Sequence, residues 1–156
     1  MIFLLILAAV FGLDYAVKSY VEKHKKEGQE EKALGGAILI RRMSNYGAAG
    51  SVLKKKPGVV KWTSGIVLLG MFIYYIKELF SKGNVACKIC YSMILGGGLS
   101  NLYDRIKKGA VTDYFSFCVP FKKIKNLVFN ISDLFIIIGS VFLFFLQIRL
   151  GGRQHD

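Results

Sequence analysis

With 156 residues, the chain has room for one domain and hardly for two. Hydrophobic residues make up 53% of it and the mean hydropathy is +0.43, more apolar surface than a soluble domain of this size can hide. The formal net charge of +12 comes from Lys and Arg clustered between apolar blocks, with no DNA- or RNA-recognition module in view. Such flanks suit anionic lipid headgroups, and nucleic acid is set aside as a partner.

The first apolar block, "MIFLLILAAVFGLDYAVKSYV", covers residues 1–21. It lacks a basic n-region and a small-x-small cleavage site before Asp14, so it reads as a retained helix rather than a signal peptide. Asp14 and Lys18 lie four apart, on one helix face, where they can pair. Residues 22–58 follow, first as a charged surface turn. Then "ALGGAILIRRMSNYGAAGSVL" brings glycines and β-branched residues, which predicts a small strand-and-turn structure resting on the membrane face.

The second block runs from 59 to 80 and the third from 85 to 103. Only "SKGN" separates them, so they are expected to be antiparallel neighbours. The third block is the least apolar, with Lys88 and three consecutive glycines. It also carries Cys87 and Cys90 as C-x-x-C. A zinc site wants four ligands, and His24 and His155 are far off in sequence. The thiols, with Cys118, therefore read as reduced apolar fillers, and no metal is expected.

Residues 104–126 alternate polar and apolar positions through "VTDYFSFCVPF", which predicts a half-buried extended segment at the interface. The fourth block spans 127–150. Each block approaches the ~20 residues that a helix needs to cross a bilayer core. The expected fold is an all-α membrane protein: four transmembrane helices and a small β-structure between helices 1 and 2, within one integral membrane domain over 1–156.

The chain holds five aspartates: Asp14, Asp104, Asp113, Asp133 and Asp156. An acid at the centre of a spanning helix costs roughly 2.5–3.5 kcal/mol, so acids beside spans mark pairs, pathways or active sites. Asp14 has Lys18. Asp104, with Arg105, directly follows the third block, where an ion pair or cap explains it. Asp113 and Asp133 are harder to dismiss. One lies in the interfacial segment and the other about one turn into the last helix, so they can meet at one membrane face. Asn130 and Ser132 offer capping or orienting hydrogen bonds there. Two adjacent carboxylates share a proton: the ionised one can take a proton from water while the protonated one polarises a carbonyl. That is aspartic-protease chemistry without a metal. Structural networks also perturb acids, and spacing alone leaves both readings open.

Four motifs, in order, resemble the lipoprotein signal peptidase (signal peptidase II) family. They are "DYAVK" (14–18), "NYGAA" (45–49), "GGGLSNLYDR" (96–105) followed by "GAVTDYFSF", and "FNISD" (129–133). Together they span most of the chain. The resemblance implies an intramembrane aspartyl endopeptidase of the bacterial cell membrane, with no cofactor, that cuts prolipoproteins before a diacylglyceryl-modified cysteine. It makes Asp113 and Asp133 the catalytic pair. Asn45, Gly47, Asn101, Asp104, Arg105 and Asn130 become supporting or substrate-binding residues, and Asp14 with Lys18 structural. It also implies that residues 33–53 and 105–126 are extracytoplasmic structures at the site; membrane lipids are expected around the chain, and a monomer is the expected state.

Three positions depart from the family pattern. Gly50 stands where an aromatic is common, Ser100 replaces a frequent Gly, and Ser132 replaces the usual Ala. The first two would loosen substrate contact or helix packing, while Ser132 adds a hydroxyl able to hydrogen-bond the neighbouring carboxylate. These leave room for a divergent paralogue with a narrower substrate range. The loops after the first and third blocks hold most of the Lys and Arg, which by the positive-inside rule would put them in the cytoplasm. Family topology puts them outside, where the substrate is, and is followed here.

The main rival is a non-catalytic membrane scaffold or chaperone-like relative, which could tolerate loss of either acid of the pair. A metal-dependent phospholipid-headgroup transferase would share the step from Gly109 to Asp113, but Phe117 stands where its next acid is required. A transporter would hold its acids near the bilayer midplane, whereas these lie at helix ends.

Overall fold

The computed structural model describes residues 1–47, 53–119 and 127–152, with Gly151 and Gly152 described by backbone only. Four long helices dominate: α1 (Ile2–His24), α2 (Pro57–Phe80), α3 (Val85–Lys107) and α4 (Ile131–Gly152). All four are long and apolar enough to cross a membrane. Pro57 sits in the first turn of α2, where its missing N–H costs nothing. The Asn84 side chain caps α3 by accepting from the Ala86 N–H at 2.8 Å. Residues 81–84 join α2 to α3 as the expected short turn, and the two helices pack together.

α3 is the central helix and packs against each of the other three. Of its most apolar stretch 56% is buried, against 11–17% in the other helices, which turn their apolar surface outward as lipid-facing helices do. The glycines that made this block look weak are what allow it. A Cβ on Gly96 would lie 2.6 Å from the Leu7 carbonyl oxygen of α1, and one on Gly97 would lie 2.7 Å from the Ser132 carbonyl oxygen of α4. Consecutive glycines face different helices because each residue turns the helix by 100°. Bare backbone there brings α1 and α4 in on two sides.

Lys88 is reconciled in the same way. Its ammonium donates to the Ser81 and Leu79 carbonyls at 2.7 and 3.4 Å, and so closes the C-terminus of α2. Cys87 and Cys90 are free and buried, and Cys87 joins the apolar cluster of Tyr75, Tyr91 and Leu95.

A three-stranded antiparallel sheet sits at one end of the bundle, in the order β1 (Glu30–Ala33), β2 (Ile38–Asn45), β3 (Val111–Phe117). It gathers the C-termini of α1 and α3 and the N-termini of α2 and α4 at that end. The β-structure expected between the first two helices is therefore only two-thirds of the sheet. The third strand comes from the segment after α3, and six of its seven residues are buried rather than half of them. One edge of β3 pairs with β2. On the other, Phe115 exchanges backbone hydrogen bonds with Phe129 at 3.0 and 2.7 Å. The Tyr114 and Phe115 side chains form a second core with Val21 of α1. Both faces and both edges are covered, which a period-two pattern alone cannot reveal. Between Ile40 and Met43 the register slips, with two residues of β2 opposite Tyr114. This bulge sits beside Asp113.

Candidate active site

Asp113 is the third residue of β3, and Asp133 lies in the first turn of α4. Both line one cavity of about 480 Å³ between α2, α3 and α4, together with Asn45, Asn101 and Arg105. Its remaining wall is apolar and includes Leu68, Met71, Ile94 and Ile136. Val67 and Ile137 line it too and are 65% and 50% exposed, so the cavity opens onto the lipid-facing surface of the bundle. A carboxylate pair thus stands at the head of a greasy slot.

Asn130 is the N-cap of α4. Its side-chain oxygen accepts the Asp133 backbone N–H at 2.9 Å, while Asp133 Oδ2 accepts the Asn130 backbone N–H at 3.1 Å. This is a capping box with Asp at its third helical position. It fixes the Asn130 amide so that Nδ2 donates to Asp113 Oδ1 at 2.7 Å and to Asn101 Oδ1 at 3.2 Å. One side chain therefore touches both halves of the site. The second oxygen of Asp113 accepts from Asn45 Nδ2 at 2.9 Å, and Asp133 Oδ1 accepts from Asn101 Nδ2 at 2.9 Å. All four carboxyl oxygens have an N–H donor.

Asp113 is only 2% exposed. Burial, and then the nearby Asp133 charge, push its pKa up to about 7 against the opposing hydrogen bonds from Asn45 and Asn130. At neutral pH it is therefore poised to hold or release a proton.

Asn45 is oriented by the Gly47 N–H, which donates to its side-chain oxygen at 3.0 Å. The Gly47 carbonyl in turn accepts from the Arg105 guanidinium at 3.1 Å. Gly47 thus contributes through its backbone. Arg105 Nε is buried and has no hydrogen-bond partner among the described residues. The remainder of the "NYGAA" motif, Ala48 and Ala49, lies outside the described residues, as does Gly50.

Behind the cavity lies a buried charge cluster. Lys18 Nζ meets Asp14 Oδ2 at 2.7 Å and Asp104 Oδ2 at 3.0 Å, and none of the three is more than 1% exposed. The Asp14–Lys18 pair is thus present, but it is sealed in the bundle. Asp104 does not line the cavity. It also takes Lys108 at 2.8 Å and the Thr112 N–H at 3.3 Å, which anchors the start of β3 one residue before Asp113.

Ser132 behaves differently from the sequence-based expectation. Its hydroxyl donates to Asp14 Oδ2 at 2.7 Å rather than to the neighbouring Asp133. Side chains of adjacent helical residues point 100° apart, so the Ser132 hydroxyl turns toward α1 while Asp133 turns to the cavity. Ser100 donates to the same Asp14 oxygen at 2.6 Å. The two departures from the family pattern therefore meet on one carboxylate and tie α1, α3 and α4 together. Sequence reasoning also missed the apolar wall supplied by α2. Ser64, Val67, Leu68 and Met71 fall at i, i+3, i+4 and i+7, one helix face with three apolar members that is legible in the sequence.

The family described as signal peptidase (SPase) II matches residues 6–149 of the chain. A lipoprotein signal peptidase of Caldicellulosiruptor bescii is 33% identical over 99% of this chain and 95% of its own length. One from Pseudoalteromonas translucida is 35% identical over 85% of this chain and 80% of its own. Two solved bacterial membrane enzymes share the fold. They have TM-scores of 0.80 and 0.77 at 21% and 22% identity, covering 94% and 93% of this chain and 87% and 91% of theirs.

Proposed function

The chain belongs to the signal peptidase II family, a multi-pass membrane peptidase, and on that premise we propose that it is an aspartyl endopeptidase of prolipoproteins with Asp113 and Asp133 as its catalytic pair. The observation that carries this reading is the placement of two hydrogen-bonded carboxyls at the head of an apolar cavity open to lipid. A substrate made of a signal helix followed by a diacylglyceryl-modified cysteine puts its scissile bond at that level. Its apolar parts then remain in the bilayer.

The reaction needs one ionised and one protonated carboxyl. The ionised acid takes a proton from water, whose oxygen attacks the carbonyl carbon before the lipidated cysteine. The protonated acid donates to the carbonyl oxygen as it becomes tetrahedral. Collapse re-forms the carbonyl, breaks the C–N bond and returns a proton to the leaving amine. Asn45, Asn101 and Asn130 hold the two acids, while Arg105, braced on Gly47, presents a fixed positive charge to the same cavity.

In this reading the sheet end of the bundle faces outward from the cytoplasmic membrane, where translocated prolipoproteins are, and the protein works as a monomer. Purified protein in detergent, given a diacylglyceryl-modified prolipoprotein, should release the signal peptide as a mass shift. Asp113→Asn and Asp133→Asn should each abolish it. Intact substrate with folded protein and an active control enzyme would overturn the proposal in favour of a non-catalytic scaffold.

A further inference from the structure

Lys18 touches neither acid of the pair, but it contacts Asn101, which donates to Asp133. We propose that Lys18 is a positioning residue of the proteolytic site, acting through Asn101 to hold the resting proton on Asp113 and the anion on Asp133. The inference rests on the dyad reading above and divides the two roles within it.

The ammonium of Lys18 has three donors and no acceptor. Besides Asp14 and Asp104, it meets Asn101 Oδ1 at 2.8 Å and Ser100 Oγ at 3.4 Å. An ammonium settles which end of an amide faces it, because only the oxygen can accept. Asn101 must then turn Nδ2 the other way, onto Asp133 Oδ1 at 2.9 Å. The donation from Asn130 to the same Asn101 oxygen enforces the same orientation. A cation on the amide oxygen draws density from its N–H bonds and strengthens the donor that Asp133 receives.

The two acids are therefore unlike. Asp133 accepts a backbone N–H and a lysine-polarised amide, both of which favour its ionised form. Asp113 accepts from Asn45 and Asn130, whose own oxygens face backbone N–H groups of Gly47 and Asp133 and, among the described residues, no cation. Burial first, and then the Asp133 charge, favour keeping its proton, against the amide donors and the weaker direct pull of the Lys18 charge.

The charged and titratable groups behind and beside the pair come from α1, α3 and β3. α1 supplies Asp14 and Lys18, and α3 supplies Asp104 and Arg105. Lys108 neutralises Asp104 and Glu22, and Tyr114 of β3 donates its hydroxyl to Asp14 at 3.2 Å. α2 lines the cavity with Ser64, Val67, Leu68 and Met71, none of which titrates.

Lys18→Met alone would strand Asp14 without its cation, which endangers the fold. The decisive variant is the charge-balanced Lys18→Met/Asp14→Asn, compared with Asp14→Asn. Both would be assayed for kcat and KM on the diacylglyceryl-modified prolipoprotein across the acid and neutral range. The double variant should lose about tenfold in kcat with KM within about twofold, and the acid limb of its kcat profile should move up by about half a pH unit. A double variant with the kcat and acid limb of Asp14→Asn overturns the proposal. So does one that cannot fold where Asp14→Asn does, since Lys18 is then a structural pillar. Wild-type protein that leaves the substrate uncut overturns the dyad reading instead, a separate result.

Discussion

Asn130 and Asp133 each hold the other's backbone N–H, at 2.9 and 3.1 Å, at the mouth of the last helix. A proposed catalytic acid is thereby built into the device that starts α4. The cap that stabilises the first turn also aims that acid, and the amide that aims it reaches across to Asp113. Fold and site share the same atoms.

Substitution at Asn130 separates the two duties. Asn130→Asp keeps an oxygen for the Asp133 N–H but loses the donor to Asp113 and adds a charge beside the pair. It should keep the cap contact and lose about a hundredfold or more in kcat, and its added buried carboxyl should make it less stable than wild type at pH 8, a deficit that shrinks toward acid pH. Asn130→Ala should lose the same activity and also about 1 kcal/mol of cap energy. Thermal unfolding in detergent beside the cleavage assay tests both. An active Asn130→Asp would remove the amide from the mechanism.

Ser132 should separate in the opposite sense. Its hydroxyl is buried and serves Asp14, not Asp133. Ser132→Ala should destabilise the protein by about 1–2 kcal/mol while kcat stays within about threefold and the pH profile is unchanged. A shifted acid limb in this variant would mean that the hydroxyl acts on the catalytic pair after all.

What the sequence revealed follows from the range of each signal. Helix length and hydropathy are local, and the four membrane helices were legible from them. Asp113 and Asp133 drew notice because acids are rare beside apolar runs, and a motif with fixed spacing is also a local signal. The partner of Ser132, the link from Lys18 to Asn101 and the full burial of β3 were not legible. Each depends on which residues come together from 14 to 133, and no window of a dozen residues holds that. Burial of β3 in particular needs Phe129 on its far edge, a residue that by itself read as the head of a helix.

Close helix approach gives a steric prediction. A side chain on Gly97 meets the Ser132 carbonyl backbone at 2.7 Å, one residue from Asp133. Gly97→Ala should push α4 off α3, cost about 2–3 kcal/mol and abolish cleavage. Gly65→Ala on α2 is the control. Its nearest contact would be Leu102 Cδ1 at 4.0 Å, so it should be neutral or more stable by up to about 1 kcal/mol through helix propensity. Equal behaviour of the two variants would contradict the packing described for α3.

The last prediction concerns pH and runs against intuition for an acid that matters. Asp113 lies outside the spanning helices, and its pKa is raised from 3.8 to about 7 in the folded protein. Between those values the folded state binds a proton that the unfolded state has released, so this group's contribution to stability falls as pH rises through that window. Above about 7 the native protein holds an anion it would rather not have. Asp113→Asn removes that burden. The variant should be inactive but more stable than wild type by about 1–3 kcal/mol at pH 8, a lead that shrinks toward zero at about pH 4. Thermal unfolding of both proteins at the two pH values decides it. A variant less stable than wild type at high pH would mean that Asp113 is held as a comfortable anion, and the pair would then lack the proton that its proposed chemistry requires.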